Sequence, residues 1–236
     1  MYTVDDIREL LAHHYKQQNF VTDKSGVKTI ELLGTSFIAD VDHIFGEANM
    51  DYVERELEWY KSQSLQVSDI PGKTPAIWEQ VADKDGSINS NYGFLIWSYL
   101  NYNQYANVFE ELKKNPNSRR AVMIYNRPSM HYDYCRDGMS DFICTNAVNY
   151  TIRDGRLNAV VQMRSNDAIF GYRNDYHWQK YVLDKLADEL GVESGDLIWN
   201  AASLHIYERH FYLVDHYFHT GKTSITKTEY ETLYGK

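Results

Sequence analysis

Residues 141–167 read DFICTNAVNYTIRDGRLNAVVQMRSND. Two runs of alternating apolar and polar residues meet at Asp154-Gly155, a pair that tolerates positive φ at both positions of a two-residue type I′ turn. The pattern predicts a β-hairpin with strands at about 142–152 and 157–163. Cys144 lies ten residues before the turn and Ser165 ten residues after it. A two-residue loop therefore sets Cys144 opposite Ser165 and beside Arg164, and a β-bulge would shift the partner by one. A free cysteine in a strand is usually a small core residue. Arg164 and Asp167, flanking Ser165, are not what an apolar core uses. Thiol, guanidinium and hydroxyl together read as a nucleophile of lowered pKa next to an anion site.

Outward from the hairpin, helices and strands mix without a regular βαβ alternation, which predicts an α+β fold. Thr3 and Asp6 form a capping box for a first helix with Ile7, Leu10 and Leu11 on its apolar side. Asp23-Lys24-Ser25-Gly26 is a turn before a β-like run, Val27 to Leu33. Helices are expected at about Tyr52–Lys61, Asn101–Lys114 and Tyr176–Leu190, the last closed by Gly191. Further strands are expected at Arg120–Tyr125 and Ser203–Tyr207, with an aromatic-rich helical segment at the end. No repeat, low-complexity run or Pro/Gly-rich linker divides the 236 residues, so residues 1–236 read as a single domain.

The net charge of −9 argues against broad electrostatic binding to nucleic acid or to an anionic membrane. Arginine clusters in such a chain are local anion sites. No apolar run is long enough to span a membrane, and the acidic start, Met1 to Asp6, is unlike a signal peptide. The expectation is a soluble, cytoplasmic protein. Its two cysteines, Cys135 and Cys144, then read as one reactive thiol and one spare rather than a disulfide. The 20 tyrosines serve core edges, interfaces and base stacking alike.

Four constellations carry chemistry. Ser118-Arg119-Arg120, with Arg164 and Ser165, resembles a phosphate clamp, since arginine forks match phosphate oxygens. On a strand, however, Arg119 and Arg120 point to opposite faces. Glu56 shares a helix face with Tyr60, though the pattern alone does not choose Glu56 over Glu58. Asp175 stands just before a long helix, where an N-cap and a ligand group are both at home. His205 and Tyr207 share one strand face and suit a sugar hydroxyl. The spacings of His205, His210, His216 and His219 match no metal-ligand pattern, so no metal is expected.

These residues, taken in order, resemble the thymidylate synthase family. Within it they resemble the branch of T-even bacteriophages that hydroxymethylates dCMP. The segments that carry the resemblance run from Asp23-Lys24-Ser25-Gly26 through Arg55-Glu56-Leu57-Glu58-Trp59-Tyr60, Ile77-Trp78-Glu79-Gln80-Val81 and Asn91-Tyr92-Gly93. They continue through Pro116-Asn117-Ser118-Arg119-Arg120, Asp141 to Asn146, Arg164 to Asp167, Phe170 to Asp175 and His205-Ile206-Tyr207.

The resemblance implies an α+β homodimer with mixed sheets packed back to back and active sites shared between subunits. It implies Cys144 as nucleophile, Glu56 in the proton and water network, and Asp175 at the base. Arg164 and Ser165 would hold the phosphate, with Arg119 and Arg120 reaching it from the partner subunit. Lys24 stands where synthases carry a phosphate-binding arginine. His205 and Tyr207 would hold the deoxyribose hydroxyl, and Trp78, Tyr92 and Asp167 would belong to the folate and water network.

Three departures from the synthase pattern are informative: Ile143-Cys144-Thr145 replaces Pro-Cys-His, Asp175 replaces an asparagine, and Val81 replaces a tryptophan. A carboxylate accepts from the N4 amine of cytosine, but meets O4 of uracil as one acceptor facing another. The implied reaction is transfer of a one-carbon unit from 5,10-methylenetetrahydrofolate to C5 of dCMP with addition of water. Its products are 5-hydroxymethyl-dCMP and tetrahydrofolate. Alternatives are a dUMP hydroxymethylase, a thymidylate synthase and a non-catalytic nucleotide- or RNA-binding relative. Other nucleotide-synthesis enzymes are conceivable partners.

Overall fold

A computed structural model describes residues 1–235. In chain order the elements are α1 (Val4–Lys16), β1 (Val21–Thr22), β2 (Lys28–Ile38), α2 (Met50–Ser62), α3 (Ala76–Val81), α4 (Tyr92–Trp97) and α5 (Gln104–Lys114). They continue with β3 (Val122–Ile124), α6 (Met130–Asp133), β4 (Thr145–Arg153), β5 (Arg156–Met163) and β6 (Asn166–Asp167). The chain ends with α7 (Phe170–Leu190), β7 (Glu193–Tyr207), α8 (Phe211–Thr220) and α9 (Lys227–Tyr234). The strands form one mixed sheet in the order β1-β2-β7-β5-β4-β3, with β6 beside β7. The fold class is α+β, as the sequence pattern predicts.

Contacts group the chain into two compact units, each assembled from separate segments: 1–48, 163–180 and 196–236 in one, 49–162 and 181–195 in the other. In the first unit, Thr3 caps α1 and Asp6 returns the bond to the Thr3 backbone N–H at 2.8 Å. This leaves Val4, Ile7 and Leu11 fully buried against β2 and α8. β2 runs antiparallel to β7, pairing Thr29 with Tyr207 at one end and Ile38 with Ile198 at the other. Two residues of β6 pair parallel to β7, Asn166 with Leu204 and Asp167 with His205. That short parallel ladder fixes the backbone of a segment rich in candidate site residues.

In the second unit, Asp154 and Gly155 both take positive φ, 52° and 75°, and join β4 to β5 in the expected two-residue turn. β3 pairs antiparallel with β4. The close approach of α4 to α2 depends on Gly93. A Cβ there would lie 1.8 Å from the Tyr60 carbonyl oxygen, closer than any side chain is accommodated. Asn91 completes the joint. Its Oδ1 caps α4 by accepting from Phe94 N, while its amide donates to the carbonyls of Trp59 and Ser64.

Several boundaries differ from the sequence expectation; β4 begins at Thr145, so Cys144 lies just ahead of the strand. α7 begins at Phe170, so Asp175 lies inside the helix and is not its N-cap. The weak helix formers Gly171 and Asn174 hide this first turn from propensity. Arg173 holds it in place through the carbonyls of Ile169 and Glu47, and Tyr172 donates to the Val41 carbonyl at 2.7 Å. β7 begins at Glu193, ten residues before the predicted strand. Its Glu-Ser-Gly-Asp start has poor strand propensity, but the Glu193 N–H bonds to the Gly155 carbonyl. β3 begins at Val122, so Arg119 and Arg120 belong to the connection before it, where strand alternation does not apply.

Candidate active site

The second unit holds the nucleophile candidate and the buried carboxylate. Cys144 ends the loop that enters β4 and is half-buried, with Sγ 3.8 Å from the Phe142 carbonyl. Buried side chains anchor the loop on both sides of it. Asp141 accepts hydrogen bonds from Asn89 N at 2.7 Å, Ser90 N at 2.8 Å and Ser90 Oγ at 2.6 Å. Thr145, fully buried, donates from Oγ1 to the Tyr92 hydroxyl at 3.0 Å. Ser140 N bonds to the carbonyl of Val81, which ties the loop to the end of α3. The run Asn89 to Tyr92 thus holds both flanks of Cys144.

Glu56 lies on the inner face of α2 and is 5% exposed, whereas Glu58 faces solvent, so the fold makes the choice the pattern left open. The Tyr52 hydroxyl donates to Glu56 Oε1 at 2.6 Å and accepts from Trp78 Nε1 at 2.7 Å. Burial pushes the Glu56 carboxyl up to about 7, opposed by hydrogen bonds from Tyr52, Trp78 and Tyr60. An aromatic wall surrounds it. Tyr60 stacks on Trp59 and on Tyr92, and Trp78 meets Trp59 edge-on at 5.2 Å. Trp78 is half-buried and Ile77 is 58% exposed, so α3 offers an apolar, aromatic surface to a flat ligand.

The first unit holds the candidates for base and sugar recognition. Asp175 Oδ2 accepts from the Asn166 amide at 2.8 Å. Asp167 accepts from Ile169 N at 2.9 Å and lies 4.0 Å from Arg209. His205, the ladder partner of Asp167, is buried. Burial lowers its pKa, while the Asp167 charge opposes the shift. The His205 ring meets Tyr207 edge-on at 5.0 Å, and Arg209 covers the Tyr207 ring at 4.4 Å. Arg164 and Ser165 are half-buried just ahead of β6. Lys24 stands exposed on the turn that Asp23 closes through Ser25 and Val27.

Arg119 and Arg120 are exposed, and Arg120 forms an ion pair with Glu111 at 3.0 Å. Among the described residues no group of three or more His, Cys, Asp or Glu side chains could hold a metal ion. No described helix is long and apolar enough to cross a membrane.

The structure adds residues that the motifs did not single out. Tyr52 precedes Glu56 by four residues and so shares its helix face, a spacing visible in the sequence. Asp141 and Asn166 act through long-range contacts that no local pattern reveals.

A family model for thymidylate synthase matches residues 5–231. The chain belongs to the thymidylate synthase family. It is 59% identical over 235 residues to the deoxycytidylate 5-hydroxymethyltransferases of Enterobacteria phages T2 and T4, covering 97% of this chain and 96% of each relative. The enzyme of the same name from Enterobacteria phage T6 is equally similar over 236 residues. Among solved structures, the fold is similar to that of thymidylate synthase from T4 phage, with a TM-score of 0.71 and 21% identity, over 86% of this chain and 77% of that one.

The Glu56 environment sets a pH dependence. Its ordinary value of 4.5 rises to about 7 in the folded chain, so the native state holds an extra proton between those values. Stability from the neutral, buried carboxyl is full below about 4.5 and is lost as pH rises through about 7. The loss is about 3 kcal/mol. Glu56→Gln keeps the shape and removes the ionisation. Urea unfolding should show the variant gaining about 2–3 kcal/mol on wild type between pH 5 and pH 8. An unchanged difference across that range would contradict this environment for Glu56.

Proposed function

We propose that this protein transfers a one-carbon unit from 5,10-methylenetetrahydrofolate to C5 of dCMP and adds water. The products are 5-hydroxymethyl-dCMP and tetrahydrofolate. The observation that carries the proposal is the end-to-end likeness, at 59% identity, to three phage deoxycytidylate 5-hydroxymethyltransferases. The site agrees with it. A thymidylate synthase or dUMP hydroxymethylase would need a donor for O4 of uracil, and position 175 is a carboxylate.

In this reading Cys144 adds through sulfur to C6 of the pyrimidine, and C5 becomes nucleophilic. The Asp141 and Thr145 anchors keep the thiol from swinging away from the ring. The folate, when bound, supplies the carbon at the formaldehyde oxidation level. Trp78 is the surface against which its flat ring would lie, and Tyr92 and Asp167 complete that network. Once the carbon is joined to C5, the C5 proton is lost and tetrahydrofolate would depart to leave a methylene on C5. Glu56 takes a proton from water as the water adds to that methylene, and the sulfur leaves C6. A carboxyl raised to about 7 suits that exchange at neutral pH. Val81, smaller than tryptophan, leaves room for the water. Asp175 accepts from N4 of the cytosine. Arg164 and Lys24 neutralise the phosphate and Ser165 donates to it, while His205 and Tyr207 take the deoxyribose hydroxyl. A phage-encoded enzyme of this kind would act in the host cytoplasm.

Incubation with methylenetetrahydrofolate and dCMP or dUMP, followed by mass analysis, should give hydroxymethylated dCMP as the main product. No dihydrofolate absorbance should rise with it. Cys144→Ser should lower the rate at least about a thousandfold and leave dCMP binding intact, and Cys135→Ser should change little. Dihydrofolate forming in step with product, or preference for dUMP, would overturn the proposal.

We also propose a homodimer in which Arg119 and Arg120 complete the phosphate site of the partner subunit. Their exposure in the single chain supports it, since two buried arginines would have no such reach. Mixing an inactive Arg120→Ala protein with inactive Cys144→Ser protein should restore activity through hybrid dimers holding one intact site. No recovery after verified subunit exchange would count against a shared site.

A further inference from the structure

Asn166 has a feature that the reaction above does not use. The residue is 2% exposed, its backbone is fixed in the ladder opposite Leu204, and its amide donates to Asp175 Oδ2 at 2.8 Å. Its own Oδ1 is buried with no hydrogen-bond partner. Turning the amide over would set Oδ1 against a carboxylate oxygen, acceptor facing acceptor, and forfeit the N–H donor. The carboxylate thus dictates the orientation, and an orphaned carbonyl is the consequence. Gly171 leaves the contact uncrowded. A Cβ there would lie 3.3 Å from Asn166 Nδ2 and 3.8 Å from Asp175 Oδ2.

We infer that Asn166 is a positioning residue for base selection: by donating to Oδ2 it fixes the rotation of the Asp175 carboxylate toward the pyrimidine, and it would set which end of an amide at position 175 faces the base. The inference rests on the proposed role of Asp175 in meeting the base. With Oδ2 committed to Asn166, Oδ1 is the oxygen that meets N4, and a carboxylate oxygen has lone pairs for more than one donor. The same logic covers an amide at position 175. Facing a donor at 166, it turns its carbonyl oxygen inward and its NH2 toward the base, which suits O4 of uracil. Facing an acceptor at 166, it turns its NH2 inward and its carbonyl oxygen toward the base, which suits N4 of cytosine.

Exchanging the two side chains tests this. The ratio of kcat/KM for dCMP to that for dUMP is measured in wild type, in Asp175→Asn, and in the double variant Asn166→Asp with Asp175→Asn. Asp175→Asn should lower the ratio about ten- to a hundredfold. The exchange should recover at least about tenfold of that loss, although position 175 still holds an amide. A residue that only filled space would leave the two variants alike, so equal ratios in folded proteins overturn the inference. If the exchanged protein does not fold, Asn166→Ala decides. Loss of about fivefold or more in the ratio supports positioning, and an equal fall for both bases overturns it. If wild type does not prefer dCMP, or Asp175→Asn leaves the ratio unmoved, the reading of Asp175 itself fails. That result is distinct from a failed exchange.

Discussion

The nucleophile loop depends on the buried carboxylate of Asp141. It takes two backbone N–H groups and one hydroxyl from Asn89 and Ser90, and with 7% exposure little of that bonding can pass to water. Removing it would orphan three donors at about 1–3 kcal/mol each. The same run then seats α4 on α2. Asn91 binds the carbonyls of Trp59 and Ser64, Tyr92 receives the Thr145 hydroxyl, and Gly93 lets the backbones touch. Five consecutive residues therefore connect the loop of Cys144 to the end of the helix that carries Glu56. Rigidity here is a geometric requirement, since a covalent addition tolerates little error in the approach of sulfur to carbon.

Two carboxylates serve the proposed chemistry, and their surroundings separate their roles. Glu56 is enclosed by Trp59, Tyr60 and Trp78, and its hydrogen bonds, that from Tyr52 foremost, do not offset burial. That environment suits a group that trades a proton near neutral pH. Asp175 accepts from a neutral amide donor and presents only acceptors to the base. The cost falls on stability in both places: a carboxyl that ionises in a dry site, and an amide oxygen without a partner. Such local costs are common where a fold gives up stability for function.

Much of the fold was legible in the sequence because its signals are local. Thr3 with Asp6, Asp154-Gly155 and the period of α2 each specify a structure within a few residues. The start of β7 was not legible. Glu193-Ser194-Gly195-Asp196 is poor strand material that pairing alone holds extended. α3 and α4, at six residues each, are too short to announce themselves by periodicity, and they owe their form to contacts such as that at Gly93. The site was legible as residue types in order. Its supports were not, because Asp141 reaches back 52 residues to Asn89 and Asn166 matters through a partner nine residues away across a helix start.

The central claim is that Cys144 adds to C6 of dCMP and makes C5 exchangeable. Its most direct test is tritium release from [5-³H]dCMP into water without folate, with [5-³H]dUMP in parallel. Addition and reversal at C6 should release tritium from dCMP at a measurable rate and more slowly from dUMP. A protein that binds dCMP and releases no tritium above background, with or without folate, would contradict the account.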